Sequence, residues 1–341
     1  MKQPQGIPCG FSLKKEKIPL KKKETQALTN PFPYSDSNKR YYTYDYFLKQ
    51  RYGGKCAKIT LDAGFTCPNI DGRCGVGGCI YCSSRGSGDF TAGAHLSIKE
   101  QFEVQKEKIL KKWPGAKLIP YLQAHTNTYA TLDALQRVYE EVLALPDAVA
   151  FHIATRADCL PDETVSYLAK IAKRTDLTVE LGLQSVKDET AALINRGHSY
   201  ADFLDGYGRL RAASDKIRIA VHLIDGLPGE TKEDMLASAR QVGRLHPDEI
   251  KIHLLHVLKG TALARLYERE EYLPMNEKDY VEVVVEQLSI LPSDVVIGRL
   301  TGDGPADILL APLWSKRKTV ILNEIDKMLF CHNLWQGKCA K

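Results

Sequence analysis

The 341-residue chain has no run of about 18 consecutive apolar residues, so it lacks the usual signature of a transmembrane helix. Its N-terminus is rich in lysine but carries no apolar core of the kind a secretory leader needs, so the expected compartment is cytoplasmic, with no membrane partner. No segment repeats at a period of about 20–50 residues, which argues against a solenoid. The first strand-like segment is not followed by the glycine-rich turn of a dinucleotide-binding fold. Only one CxxC pair occurs in the cysteine-rich loop, whereas the usual structural zinc pattern uses two such knuckles.

What remains is ordinary in bulk and uneven in detail. Hydrophobic residues make up 44% and charged residues 26%, enough for one large domain or two modest ones. Of the net charge of +5, residues 1–40 hold a surplus of six, from nine cations against three acids, so the remainder carries −1. Residues 1–40 mix Lys, Pro, Gln, Ser and Asn without periodicity and read as a flexible basic tail; such a tail is either a solvated leader or an arm for nucleic acid. The aromatic run from Tyr41 to Gly54 has the same two readings, a surface that stacks on bases or a helix face packed on the domain.

From Lys55 onward the pattern alternates. Strand-like stretches near 56–61, 118–123, 149–154, 178–183, 217–224 and 250–257 are separated by segments of helical spacing, such as 97–112, 131–144, 162–173, 200–213 and 231–245. Six strands divided by helices predict an α/β fold of parallel βα units, closed or partly closed into a barrel, with chemistry at the C-terminal ends of the strands. After about residue 260 the pattern changes to a helix near 277–291, a strand near 295–300 and a helix near 319–331, a C-terminal α/β extension over 261–341.

Nine cysteines are present, and four of them, Cys67, Cys74, Cys79 and Cys82, fall in one glycine-rich loop directly after the first strand. A reducing compartment makes disulfides a poor account of such a cluster, and thiolates suit either zinc or an iron–sulfur cluster. Glycines let the loop wrap a bulky inorganic group. Spacing leaves both readings open: a closed four-thiol zinc site, which would make the protein a zinc-stabilised RNA-binding module, or a three-thiol iron–sulfur site with one open iron.

The loop carries Cys67-Pro68-Asn69, Asp71-Gly72, Gly77-Gly78-Cys79 and Tyr81-Cys82, and in this it resembles the radical S-adenosylmethionine (SAM) family of the YhcC/YtqA type. Further motifs agree from about residue 40 to the end. These are Thr155-Arg156 with Asp158-Cys159, Gln184-Ser185 with Asn195-Arg196-Gly197-His198, and Gly226-Leu227-Pro228-Gly229. The Gln-Ser and Asn-Arg-Gly-His arrangement is similar to that of the anaerobic coproporphyrinogen oxidase and the Elongator catalytic subunit.

The resemblance implies a partial TIM-type (β/α)6 radical SAM barrel over 41–260, with the cluster loop at 64–90. It implies a [4Fe–4S] cluster on Cys67, Cys79 and Cys82, with Cys74 outside the family pattern. It places Tyr81 near the adenine of SAM and Thr126, Asn127, Thr155, Gln184, Arg196 and His222 among its contacts. The bland readings are a polar turn before an N-cap at Thr131, a helix-end cation for Arg196 and a core histidine for His222. The implied activity is reductive cleavage of SAM to a 5′-deoxyadenosyl radical, fed by a one-electron reductant of the flavodoxin or ferredoxin type. The Elongator likeness, the basic tail and the tyrosines lean toward tRNA, with the side chain of the wobble uridine as substrate; a small molecule or tetrapyrrole is the alternative.

Overall fold

A computed structural model of the chain describes residues 30–340. Nine strands follow in chain order: Cys56–Leu61 (β1), Lys117–Leu122 (β2), Ala150–Thr155 (β3), Asp176–Gln184 (β4), Ile217–Asp225 (β5), Glu249–Leu254 (β6), Val257–Leu258 (β7), Val296–Arg299 (β8) and Leu309–Ala311 (β9). The α-helices are Tyr44–Tyr52 (α1), Ile98–Lys112 (α2), Leu132–Leu143 (α3), Asp162–Ile171 (α4), Asp188–Leu193 (α5), Tyr200–Ala213 (α6), Lys232–Leu245 (α7), Ala262–Glu268 (α8), Glu277–Ile290 (α9) and Lys318–Cys331 (α10).

Local chemistry explains where the helices begin. Ser97 with Glu100, Ser199 with Asp202 and Thr231 with Asp234 form capping boxes at α2, α6 and α7, satisfying backbone donors that a helix start leaves free. Pro161 precedes α4, and Asp162 and Glu163 in its first turn face the positive end of its dipole.

β1 to β6 pair in sequence order, all parallel, and β8 adds beyond β6. The sheet therefore has seven strands where the sequence predicts six. The strand expected near 295–300 is not confined to a separate extension but becomes the last strand of the barrel. The stretch expected as one strand over 250–257 divides: β6 ends at Leu254, and β7 leaves to pair antiparallel with β9. Side chains of α9 and α10, among them Val284, Leu288 and Ile325, join the same hydrophobic core as the barrel.

The gap between β1 and β8 is covered by the segment that leads into α1. Thr43 bridges to Ile297, the Ile297 N–H donates to the Tyr42 carbonyl at 2.8 Å, and α1 packs on both edge strands. This protects strand edges that would otherwise offer free backbone groups. The end of the basic tail is packed: Phe32 and Arg40 are buried, Lys39 pairs with Asp326, and the Arg40 guanidinium lies 5.1 Å from the Phe330 ring centre. Residues 1–29 of that tail lie outside the described residues.

Period-two alternation splits each strand between two environments. Ile59, Leu122, Val179, Leu181, Val221 and Ile252 face outward into the helix layer. Their sequence neighbours Lys58, Tyr121, Glu180, His222 and Lys251 face the barrel interior.

Candidate active site in the barrel

A cavity of about 530 Å³ runs down the barrel, within the usual size of a small-molecule site. Its upper wall is the cysteine loop. Cys67, Cys79 and Cys82 all line it, whereas Cys74 does not. Cys74 is exposed, with its sulfur 4.0 Å from an Asp158 carboxylate oxygen. Burial first, then the neighbouring Cys79 and Cys67 thiols, push the Cys82 thiol up to about 12, with Arg196 opposing. A buried thiol whose ionisation two neighbouring thiols oppose needs a positive centre nearby before it becomes a thiolate.

The family-like motifs are stitched together by hydrogen bonds. The buried Asn69 amide donates to the Asn195 carbonyl, and the Asn195 amide donates back to Gly78 at 2.7 Å. Arg156, one of the largest fully buried side chains, is bidentate to Asp158 at 2.9 and 2.8 Å and donates to the carbonyls of Arg196 at 2.8 Å and Gly197 at 3.3 Å. Gly197 has φ 76°, and a Cβ there would meet the Asn69 side-chain oxygen at 2.5 Å. The motif residues thus fix the cysteine loop against the loop that follows β4.

Of the residues singled out from sequence, Tyr81, Thr126, Thr155, Gln184, Arg196 and His222 line the cavity beside the three cysteines. Asn127 does not. It is fully buried, and its amide donates to the carbonyls of Leu122, Ala124 and Ala154, at 3.1, 3.0 and 2.9 Å. These bonds hold the turn after β2, while its Oδ1 is buried without a hydrogen-bond partner among the described residues. The Thr155 hydroxyl is 2.5 Å from that of Thr128. His222 is at the floor, with Nε2 2.9 Å from Glu180 Oε2 and its ring 5.1 Å from that of His253.

Gln184 sits at an irregularity in the β4–β5 pairing with φ 78°, a conformation L side chains seldom adopt. Its Oε1 is buried without a hydrogen-bond partner among the described residues, and so is Arg196 Nε. The Arg196 guanidinium otherwise donates to the Gly182 carbonyl and approaches Cys79 sulfur at 3.9 Å. Orphaned buried atoms in a cavity wall that three cysteines also line fit a polar ligand bound there; among the described residues no three His, Cys, Asp or Glu side chains stand close enough together to hold a metal ion as they are placed. An amide oxygen and a guanidinium N–H suit the ammonium and carboxylate of an amino-acid moiety.

The floor is organised by Glu180, whose side chain is fully buried. Its Oε1 accepts from Lys58 at 2.7 Å and His152 Nδ1 at 2.9 Å; its Oε2 accepts from the Tyr121 hydroxyl at 2.8 Å, from His222 and from Lys251. Burial alone would raise its pKa, but Lys251, Lys58 and the two histidines outweigh it and hold the carboxyl well below the usual range. Burial, with Lys58 adding to it, brings His152 down to about 3; burial and Lys251 bring His222 to about 4. Both rings are neutral at pH 7, each donating one N–H to Glu180. The Tyr44 hydroxyl, from the aromatic run, lies 3.4 Å from His152 Nε2 and completes the floor.

Lys58, Lys251, Tyr121 and Tyr44 were not singled out from the sequence. The signal for the lysines is a charge set between two apolar neighbours on a strand, Lys58 in CAKITL and Lys251 in EIKIHL.

Comparison with known proteins agrees with this architecture. A model of the radical SAM superfamily matches residues 70–242, and one of the radical SAM C-terminal domain matches 247–330. YtqA of Bacillus subtilis is 45% identical over 309 residues, covering 91% of this chain and 95% of that protein. YhcC of Escherichia coli K12 is 33% identical over 288 residues, 84% and 91% of the two chains. A tRNA uridine(34) acetyltransferase of Methanocaldococcus infernus is 30% identical over 183 residues, 53% of this chain but 33% of that protein. Among solved structures, archaeal Elp3 of Methanocaldococcus infernus shares the fold, with a TM-score of 0.61 at 20% identity over 83% of this chain and 64% of that one. With the family model spanning half of its length and YtqA matching nearly end to end, the chain belongs to the radical SAM superfamily.

Proposed function

We propose that the protein reductively cleaves SAM and uses the resulting radical to abstract hydrogen from a substrate held in the barrel, with a nucleoside of tRNA as the substrate class. The observation that carries the first part is the wall in which Cys67, Cys79 and Cys82 line one cavity with the unpartnered Gln184 Oε1 and Arg196 Nε, while Cys74 stays outside.

In this reading Cys67, Cys79 and Cys82 would hold a [4Fe–4S] cluster, and the chemistry it would supply when bound is one-electron reduction of the SAM sulfonium, which splits a C–S bond into methionine and a 5′-deoxyadenosyl radical. Gln184, Arg196 and Thr126 bind and orient the methionyl end. Tyr81 packs against the adenine side. The enclosing strands exclude water from the radical. The electron comes from a small one-electron donor of the flavodoxin or ferredoxin type. A tRNA substrate is supported by the likeness to a tRNA uridine(34) acetyltransferase over about half of the chain, and by the surplus of six positive charges in residues 1–40.

The test is anaerobic reconstitution with iron and sulfide, then SAM and dithionite, with 5′-deoxyadenosine read by liquid chromatography. The product is expected from the wild type and from Cys74→Ala, with iron retained in both, and neither product nor bound cluster from Cys82→Ala. A colourless protein that keeps one zinc and forms no 5′-deoxyadenosine would overturn the proposal.

A further inference from the structure

Below the thiols, the cavity wall has more hydrogen-bond donors than the protein itself satisfies. Five of the charged side chains lining the cavity are cations, and one, Glu180, is an acid. Arg156 and Arg196 belong to the thiol end. Lys58, Lys251 and Arg299 belong to the floor, where Arg299 stands beside Lys251 in the β6–β8 register.

An ammonium has three N–H donors. Among the described residues Lys58 and Lys251 each have one hydrogen-bond acceptor, and it is the same carboxylate, Glu180. Lys58 otherwise lies over the faces of Tyr44 and Tyr121, 4.9 Å from each ring centre. Arg299 has an ion pair with Asp303 at 3.4 Å and no side-chain hydrogen bond among the described residues. His253, which lines the same region, has a buried Nε2 without a partner. Glu180 cannot serve them further, because five donors already converge on its two oxygens. The floor therefore presents several unfilled donors to one enclosed space, and buried donors left unmade are costly.

We propose that this floor is a carboxylate-binding site, in which Lys251, Arg299 and Lys58 receive a carboxylate group of the substrate, with His253 as a further hydrogen-bond partner. A carboxylate is favoured over a phosphate by the charge around the site. Glu180 offsets one lysine; Glu249, buried with neither oxygen hydrogen-bonded among the described residues, stands 3.9 Å from Lys251 outside the cavity lining; and Asp303 is paired with Arg299. The site thus offers many donors with three cations balanced by three carboxylates, which matches a planar monoanion better than a dianion. Burial first, with Lys58 adding to it and Glu180 and Glu249 opposing, brings Lys251 down to about 8.

The inference rests on the proposed function only in calling the bound group part of a substrate. The test needs neither cluster nor SAM, so its failure and the failure of radical chemistry are distinguishable. The full-length chain is titrated with acetate at constant ionic strength and binding is followed by saturation-transfer NMR, with inorganic phosphate as competitor. Saturable acetate binding is expected in the wild type, weakened about tenfold or more in Arg299→Gln and in Lys251→Met. Arg299→Gln leaves every Glu180 hydrogen bond in place, so it decides the matter if Lys251→Met fails to fold. No saturable binding up to about 100 mM, or equal affinity in both variants, would overturn the site. Phosphate displacing acetate at lower concentration than acetate itself requires would overturn the choice of carboxylate.

Discussion

The floor and the thiol end of this cavity share the same strands but differ in how complete they are. At the floor, Glu180 accepts from Lys58, His152, Tyr121, His222 and Lys251, and its own oxygens are fully used. At the thiol end, Gln184 Oε1 and Arg196 Nε are buried without partners, and Gln184 holds a left-handed backbone conformation. The oxygens of the Glu180 knot are filled by the protein alone, while its two lysines keep donors to spare. The thiol end keeps two polar atoms without partners among the described residues, and the strain at Gln184 is held by surrounding structure.

That contrast can be broken at three points. The largest effect is expected from Glu180→Gln, which removes the charge that two buried lysines share. Loss of one partner from a buried ionic network costs about 3–5 kcal/mol. Urea unfolding should show it, and a loss under about 1 kcal/mol would mean that the knot is not a stabilising element.

Acidification is the second probe. His152 and His222 titrate near 3 and near 4 when folded, against about 6.5 when unfolded. Below about pH 6.5 the unfolded chain binds more protons than the folded one. Stability is therefore full above that pH and lost as pH falls toward 4, by about 1.4 kcal/mol per pH unit for each histidine. Glu180, held below its ordinary range, adds to the loss at the acid end. Unfolding curves at pH 7, 6 and 5 check this, and a flat profile would contradict the neutral assignment of both rings.

The smallest effect is expected at the thiol end. Gln184→Gly removes the strained side chain and should change stability by less than about 1 kcal/mol in either direction, while weakening SAM binding in a filter or equilibrium-dialysis assay. A large loss of stability would make Gln184 a structural residue.

Much of this was legible beforehand. The strand at Cys56–Leu61 and the helix at Tyr200–Ala213 fall where the apolar period places them, because period two and period 3.6 leave different imprints on the chain. The inward direction of Glu180 follows from its place between Val179 and Leu181. The three backbone carbonyls that the Asn127 amide serves are not legible in the sequence, because a polar residue at a strand end looks the same whether it faces a ligand or backbone. The aromatic run gave no sign that Tyr44 would close the barrel floor while Tyr42 stacks on Tyr34 at 4.9 Å.

By itself the sequence determined the parallel βα order, the single CxxC with Cys67 upstream, and the polar residues that interrupt apolar strands. These are local facts of spacing and alternation. Only the tertiary structure decided that β8 joins the barrel as a seventh strand, that Cys74 turns away to Asp158, and that two lysines distant in sequence converge on one carboxylate. The reason is geometric: curling the sheet brings inward side chains from β1, β4 and β6 into one small space, and no spacing along the chain encodes which of them will share a proton acceptor.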